Sequence, residues 1–324
     1  MPAENLEEQL VKYLADAHSI ETQALAQLRT APDIAADPGL EAAFREHLAE
    51  TERQEALVRA RLEAHGATPS RLKETVMGLG GKGFVLFARS QPDTPGKLTA
   101  HAISYEALEA AGYDLLARVA ERAGDPETAA IARQIGAEER RMIDRLEGCV
   151  VGAVSASLQG KHVEDAASAL NIYLSDAHAI EAQAIRLLEQ AASAGGDPVL
   201  QRLYAEHLAE TRDQQCRVEE RLKARGSTPS KLKDAAMRVG ALNWGGFFLG
   251  QPDTPGKLAA FSYAFEHLEI GGYALLGRVA ALAGDRETLE LADAILAEER
   301  AAAERIAGAF DRAAEASLAA TGVA

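Results

Sequence analysis

Apolar residues recur at intervals of three and four along most of the chain, which is the spacing that one face of an α-helix requires. The first helix is predicted over residues 5–29. Its apolar stripe consists of Leu6, Leu10, Tyr13, Ala17, Ile20, Ala24 and Leu28. Comparable stripes predict helices at 38–65, 93–123 and 126–158, and apolar and polar residues do not alternate as strands would require. The pattern therefore indicates an all-α protein.

The second helix has clear signals at both ends. Asp37-Pro38 is a good N-cap and first-turn pair, and Gly66 favours the left-handed turn that ends a helix. A long connection then leads to the third helix, with a short helix predicted at 69–79 and a glycine-rich apolar stretch at 78–87. We interpret this stretch as a crossover packed on the bundle, with a partner-binding or membrane-touching loop as the alternative. Such a connection makes the third helix parallel to the second, as in the ferritin-like four-helix bundle.

The whole pattern occurs twice. A constant shift of 160 positions aligns residues 4–158 with residues 164–318 without a gap. The segment Glu46-His47-Leu48-Ala49-Glu50-Thr51 returns unchanged in the second copy. A period of this length is too long for a solenoid repeat and has the size of a domain. The sequence therefore predicts two tandem ferritin-like four-helix bundles, in residues 1–160 and 161–324.

Charge and composition exclude several classes of function. The net charge of −15 makes nucleic acid and anionic membrane surfaces poor partners. No apolar run approaches the ~20 residues of a membrane span, and the N-terminal segment lacks the pattern of a signal peptide. The two cysteines, Cys149 and Cys216, do not occupy equivalent positions in the two copies, which argues against a disulfide framework. We therefore expect a cytoplasmic protein without integral membrane contact.

Each of the four helices carries an acidic residue on or beside its apolar stripe, and both copies keep these positions. Acids elsewhere vary, since Glu52 is matched by Arg212. The candidate metal ligands of the first copy are Glu21, His47, Glu50, Glu106, Glu109 and Glu139. Those of the second copy are Glu181, His207, Glu210, Glu266, Glu269 and Glu299. On the fourth helix Glu138 and Glu298 fit the stripe equally well, so the choice between neighbouring acids stays open.

Carboxylates that meet inside a bundle need compensation, because each buried charge is costly or takes up a proton. Divalent cations provide it, and carboxylates with an imidazole suit iron or manganese better than zinc. Taken singly, a helical glutamate is more often solvated, and His47 is more often a satisfied histidine near the core than a ligand. With Glu50 one turn away, the two interpretations of His47 have equal weight. His18 and His178 are interpreted as residues that orient ligands or support the fold, and Tyr105 and Tyr113 as packing residues.

Four segments are distinctive when taken together and in order. They are Tyr13-Leu14-Ala15-Asp16-Ala17-His18-Ser19-Ile20-Glu21-Thr22-Gln23, His47-Leu48-Ala49-Glu50-Thr51, Tyr105-Glu106-Ala107-Leu108-Glu109-Ala110-Ala111-Gly112-Tyr113 and Ala137-Glu138-Glu139. They resemble the YciE/YciF-type bacterial stress-response proteins of the ferritin-like superfamily. The resemblance implies a dinuclear centre of iron, or of manganese, in each bundle of a cytoplasmic protein that is expressed under stress. It also implies that the chain is an internal pseudo-dimer, which could assemble further.

The sequence departs from ferritins and rubrerythrins, whose signature is Glu-x-x-His on two helices. Glu50 is followed three positions later by Arg53, and Glu139 by Met142. Two hypotheses remain. One is a di-metal redox protein that reacts with dioxygen or peroxide, with ferroxidase or peroxide-consuming activity. The other is a metal-free structural or partner-binding bundle. No nucleophile with a neighbouring base and no phosphate loop supports a hydrolase or kinase.

Overall fold

The computed structural model describes residues 6–68, 94–158, 163–194, 196–229 and 253–323. Within these ranges the regular secondary structure is helical, which confirms the all-α class. The predicted crossover of the first copy, with its short helix and its glycine-rich stretch, lies outside the described residues.

The chain divides into two compact units, made mainly of residues 1–157 and 158–320, which we call the first and the second unit. Each unit is of a size that can bury its own hydrophobic core. The boundary that the repeat predicts, between residues 160 and 161, lies outside the described residues and stays a prediction.

Four long helices form the first unit. They are α1 (Leu6–Leu28), α2 (Pro38–Ala64), α3 (Thr94–Arg122) and α4 (Pro126–Ser157), with a 3₁₀ turn at Pro32–Ile34. Helix α1 packs against α2 and α3, and α4 packs against the same two helices. Helices α2 and α3, which the long connection joins, therefore occupy opposite corners of the bundle. This is the ferritin-like arrangement that the length of the connection predicts.

Short-range hydrogen bonds fix both ends of α2. At the start, the Asp37 side chain accepts a hydrogen bond from the backbone N–H of Leu40 at 2.9 Å. At the end, Gly66 has a φ of +69°, and Ala67 donates its N–H to the Leu62 carbonyl at 3.0 Å. Glycine adopts this left-handed turn without strain. The predicted start and stop of α2 are therefore confirmed.

The second unit repeats the arrangement of the first. Its helices are α5 (Val163–Ala194), α6 (Pro198–Ala224), α7 (Thr254–Leu282), α8 (Arg286–Ala307) and α9 (Phe310–Ala320). Helix α5 packs against α6 and α7, and α8 packs against the same two helices, while α9 continues along α7. None of the described helices in either unit is long and apolar enough to cross a membrane.

Two elements of the second unit differ from a simple copy of the first. Helix α5 is longer than α1, because Ala192 stands where Pro32 breaks the helical hydrogen bonding of the first unit. The part of the second unit that corresponds to the continuous helix α4 is divided into α8 and α9, with the break directly before Phe310. The Phe310 ring packs edge-on against Tyr263 with a centroid distance of 5.5 Å, where the first unit has smaller aliphatic side chains. The interruption thus coincides with a bulkier local core.

Candidate metal centre

A group of buried acidic side chains and one histidine meets inside each unit. The first cluster consists of His47, Glu106, Glu109 and Glu139. The second cluster consists of His207, Glu266, Glu269 and Glu299. In each cluster one ligand atom per residue lies within 4.8 Å of the other three. All eight residues are at most 3% exposed, so the clusters are shielded from bulk water.

Three helices supply the first cluster. His47 comes from the buried stripe of α2, Glu106 and Glu109 lie one turn apart on α3, and Glu139 comes from α4. Residues three or four apart share a helical face, so the apolar stripes carry these side chains inward. The structure brings together the residues that the stripes predicted to converge. Their role as metal ligands stays a prediction.

The imidazole of His47 faces two carboxylates at very short range. Its Nε2 atom lies 2.8 Å from Glu106 Oε2 and 3.3 Å from Glu139 Oε2. These distances would suit hydrogen bonds, but the directions do not, and Nε2 has no hydrogen-bond partner. In the second cluster, His207 Nε2 lies 2.8 Å from Glu266 Oε2. Both histidines therefore point a nitrogen at acidic oxygens without satisfying it.

The clusters hold an unusual concentration of buried polar atoms without a hydrogen-bond partner. In and beside the first cluster there are six such atoms, namely Glu21 Oε2, His47 Nε2, Glu106 Oε2, both carboxylate oxygens of Glu109 and Glu139 Oε2. In and beside the second cluster there are seven, namely Glu181 Oε2, His207 Nε2, Glu266 Oε2 and both carboxylate oxygens of Glu269 and of Glu299. Buried polar atoms are nearly always bonded, so this many in one place requires an explanation. All of them are good metal donors.

Two predicted ligands, Glu50 and Glu210, lie on the far side of the histidine ring. Glu50 Oε2 is 3.1 Å from His47 Nδ1, and Glu210 Oε2 is 3.1 Å from His207 Nδ1. The Glu50 side chain is 30% exposed, and the hydrogen bond with His47 lowers its pKa. A carboxylate on this nitrogen fixes the tautomer and orientation of a metal-ligating histidine. Direct ligation by Glu50 and Glu210 stays a prediction, since both lie outside the clusters.

Helix α1 contributes Glu21, which is 1% exposed and is bonded by a tyrosine. The Tyr113 hydroxyl donates a short hydrogen bond to Glu21 Oε1, and Tyr273 does the same for Glu181. The interpretation of Tyr113 as a packing residue was incomplete, because its hydroxyl holds an acid beside the cluster. The sequence contains a signal for this role, because a buried tyrosine hydroxyl usually has a hydrogen-bond partner and Tyr113 is matched by Tyr273 in the second copy.

The neighbouring acids on α4 have different environments. Glu139 points into the first cluster and accepts a hydrogen bond from Gln54 at 2.6 Å. Glu138 instead accepts hydrogen bonds from Arg53 and from Gln54, each at 3.0 Å. Glu138 therefore has protein partners, and Glu139 is the acid of α4 that belongs to the cluster.

Burial and crowding of like charges raise the pKa of several acids in the first unit. Burial raises the pKa of Glu109 well above its usual value, and the charges of Glu21 and Glu139 raise it further. Burial also raises the pKa of Glu21 to about 8, although the Tyr113 hydrogen bond opposes this shift. The pKa of His47 is raised as well, because its acidic neighbours outweigh the burial that favours a neutral ring. Without a cation, these groups thus hold protons that metal binding has to displace.

The second unit shows the same directions. Burial and the neighbouring acids raise the pKa of Glu181 to about 8 and that of Glu299 to about 11. For His207, burial favours the neutral ring, but Glu266 and Glu210 outweigh it and raise the pKa to about 9. The pKa values of the matching acids and histidines are therefore raised in both copies.

His18 of α1 is buried and lies near the first cluster, three residues before Glu21. Its Nε2 atom is 2.9 Å from Glu55 Oε1. The second copy keeps the histidine as His178 but has Gln215 in place of Glu55. The interpretation of His18 as an orienting or structural residue stays a prediction.

The donor set fits a metal centre of hard, oxygen-preferring ions. Carboxylate oxygens with a single imidazole suit iron and manganese, and there are more donors in each unit than one tetrahedral ion would use. A cation would satisfy the unpartnered atoms and favour the ionised forms of the acids together.

Comparison with known families is consistent with the repeat. The family model described as Domain of unknown function (DUF892) matches residues 5–159 and again residues 168–319. No solved structure gives a significant match to the chain. The two matches cover nearly the whole sequence, and each contains one of the clusters. The chain therefore belongs to the DUF892 family and carries its domain twice.

Proposed function

We propose that this chain is a ferritin-like di-metal protein of the YciE/YciF type, with one dinuclear centre in each unit. Iron is the proposed metal and manganese the alternative. The reaction is oxidation of ferrous ions by peroxide or dioxygen, as part of a cytoplasmic stress response. The observation that carries the proposal is the set of buried, unpartnered donor atoms in both units.

Charge balance favours two ions per unit. Glu21, Glu106, Glu109 and Glu139 are all buried, and they carry four negative charges when ionised. Two divalent ions would balance these charges and leave His47 as a neutral ligand. One ion would leave a net negative charge in a dry core, which is costly. The same count applies to the second unit.

The protein residues have distinct roles in this proposal. Glu109, whose two carboxylate oxygens have no hydrogen-bond partner, would supply oxygen ligands to the bound ions. Glu50 fixes the ring of His47 through Nδ1, so that Nε2 faces the cluster. Tyr113 holds one oxygen of Glu21 and leaves the other for a ligand bond. Burial of the cluster excludes water, which limits side reactions.

A pair of bound ferrous ions would supply two electrons. With two protons, these electrons convert hydrogen peroxide to two waters, or dioxygen to hydrogen peroxide. The acids with raised pKa hold protons close to this site. Their proton release on metal binding makes metal affinity increase with pH.

The test is metal loading followed by exposure to oxidant. Protein loaded anaerobically with ferrous iron should retain about two ions per unit after desalting, and air or peroxide should produce a ferric absorbance band. The variant Glu109→Gln/Glu269→Gln should lose both properties. The matched control Glu138→Gln/Glu298→Gln changes buried or half-exposed acids that adjoin Glu139 and Glu299 in sequence but lie outside the clusters, and it should retain both properties. Retention of well under one ion per unit by the unmodified protein would exclude the proposal.

The alternative is a metal-free bundle whose buried acids stay protonated. The raised pKa values of Glu109 and Glu139 are compatible with it. Of the arginines that this hypothesis expects to bond the buried acids, Arg140 forms an ion pair with Asp114 of α3. The metal-free hypothesis predicts a melting temperature that does not change with a strong chelator, whereas the di-metal proposal predicts a lower one.

A further inference from the structure

A small cavity adjoins the cluster of the first unit. It has a volume of about 20 Å³ and lies between α1, α2 and α3. It is lined by Ala24, Gln27, Leu28, Ala31, Phe44, Leu98, Ala102, Tyr105 and Glu106. Glu106 is buried, whereas Gln27 and Ala102 are half-buried. The lining therefore extends from the outer layer of the bundle to a carboxylate of the cluster.

The cavity is suited to a small apolar molecule. Its volume exceeds the ~10–15 Å³ that one water needs, but a buried water also needs two to four polar partners. The lining is mostly aliphatic and aromatic, and the Tyr105 hydroxyl already donates to the Ile20 carbonyl at 3.0 Å. Apolar cavities of this kind stay dry and take up apolar gases. Glu106 Oε2, at 2.8 Å from His47 Nε2, connects the cavity to the cluster.

The second unit differs at four of the matching positions, and at two of these, Leu187 for Gln27 and Phe265 for Tyr105, its side chain is less polar. Tyr204 replaces Phe44, and Ser262 replaces Ala102. Tyr204 is 1% exposed and Ser262 is fully buried, so both added hydroxyl groups lie inside the bundle. The Tyr204 hydroxyl interacts with Ser262, although neither hydroxyl has a well-aligned hydrogen-bond partner. The second unit therefore has two buried hydroxyl groups at positions where the first unit has only the Phe44 ring and the Ala102 methyl group.

We propose that the cavity is a docking site for dioxygen that serves the centre of the first unit, and that Tyr204 and Ser262 block the equivalent route in the second unit. The use of the gas in oxidation rests on the proposed function, whereas the gas site itself does not. In that reaction, two ferrous ions each lose one electron, and dioxygen takes up two electrons and two protons to leave as hydrogen peroxide. The two units thus differ in their access to dioxygen.

Xenon binding tests the site without any metal. Crystals of metal-free protein under xenon pressure should show an anomalous peak between Phe44, Ala102 and Glu106. The variant Phe44→Tyr/Ala102→Ser gives the first unit the residues of the second and should abolish the peak. The reverse variant, Tyr204→Phe/Ser262→Ala, should create a peak in the second unit. Each substituted residue already exists at the matching position of the other unit, and the helical circular dichroism signal of both variants checks that they fold. Absence of xenon from the unmodified first unit, or its persistence after the first substitution, would overturn the proposal.

Oxidation kinetics test the use of the site. With dioxygen, the ferrous-loaded protein should show two phases of equal amplitude, and Phe44→Tyr/Ala102→Ser should slow the fast phase about tenfold. With hydrogen peroxide, which forms hydrogen bonds and is not favoured by an apolar cavity, the substitution should have little effect. A rate with dioxygen that the substitution leaves unchanged would overturn the access route. Failure to bind iron at all would instead overturn the proposed function, while the xenon result would still stand.

Discussion

Removal of metal should reverse the pH dependence of stability of this protein. In the metal-free protein, Glu21 has a pKa of about 8, compared with 4.5 for an unperturbed glutamate. Between these values the folded protein holds a proton that the unfolded chain has lost. Stability from such a proton is complete below the unfolded pKa and is lost as the pH rises through the folded pKa. The metal-free protein should therefore become less stable from pH 5 to pH 8.

The magnitude follows from the number of protons. One proton per unit changes the free energy of unfolding by about 1.4 kcal/mol per pH unit. Glu109 and Glu139, whose pKa values are also raised, act in the same direction, as does His47 above its unfolded pKa. For a unit of this size, 1 kcal/mol corresponds to about 2–4 °C in melting temperature. We expect a fall of at least about 3–6 °C per pH unit from a single proton.

Bound metal should give the opposite trend. A divalent ion displaces the protons, so its affinity and its stabilising effect both increase with pH. Thermal unfolding is followed by the helical circular dichroism signal, with excess chelator or with saturating manganese, from pH 5 to pH 8. Manganese is preferred to iron here because it does not oxidise readily during the scan.

The Glu109→Gln/Glu269→Gln variant sharpens this test. Glutamine mimics the protonated acid, so the metal-free variant should be more stable than the unmodified protein at pH 8, where the pKa of Glu109 is raised by burial and the unfolded chain has lost the proton. The same variant should lose the stabilisation by manganese. The control Glu138→Gln/Glu298→Gln should keep the response to manganese. A melting temperature of the metal-free protein that is constant or increases from pH 5 to pH 8 would refute the reasoning.

Three further predictions concern single contacts. Replacement of Glu50 and Glu210 by alanine should weaken manganese binding about 10- to 100-fold in calorimetry, because the histidines lose their orienting partners; unchanged affinity would contradict this role. Replacement of Tyr113 by phenylalanine should raise the pKa of Glu21 further, because the hydroxyl that lowers it is lost. The variant should therefore bind metal more weakly at pH 7 than at pH 9, and equal affinity at the two pH values would contradict this role of Tyr113. Asp37→Ala should cost about 1 kcal/mol in thermal unfolding through loss of the α2 cap, without changing metal content.

Periodicity was sufficient for the architecture and for much of the site. Apolar spacing placed His47, Glu106, Glu109 and Glu139 on inward faces, and the long connection specified which helices are diagonal. These features depend on local geometry that a helix imposes on any sequence. The duplication helped further, because a position that is acidic twice on an apolar stripe is difficult to explain by chance alone.

The finer geometry could not be predicted in the same way. Glu50 lies one turn from His47 on any helix, but the rotation of the imidazole decides which nitrogen faces the cluster. Glu138 and Glu139 differ by about 100° around α4, and both fit the edge of a broad apolar stripe. The pairing of Tyr113 with Glu21 joins two helices far apart in sequence. Each of these depends on side-chain rotation or on tertiary packing, neither of which is encoded by spacing.

A difference between the units gives independent support for a role of both clusters. In the first unit, Arg53 of α2 bonds Glu138, the acid beside the cluster. In the second unit the matching position is Asp213, yet Glu298 is still bonded by a guanidinium, from Arg217 one turn later. The residue that supplies the positive charge has changed while the charge has stayed in place. This outer ion pair keeps the acid next to the cluster occupied, so that only the inner acids remain for a cation. Drift in an unused bundle would more readily remove the ion pair than rebuild it from another position.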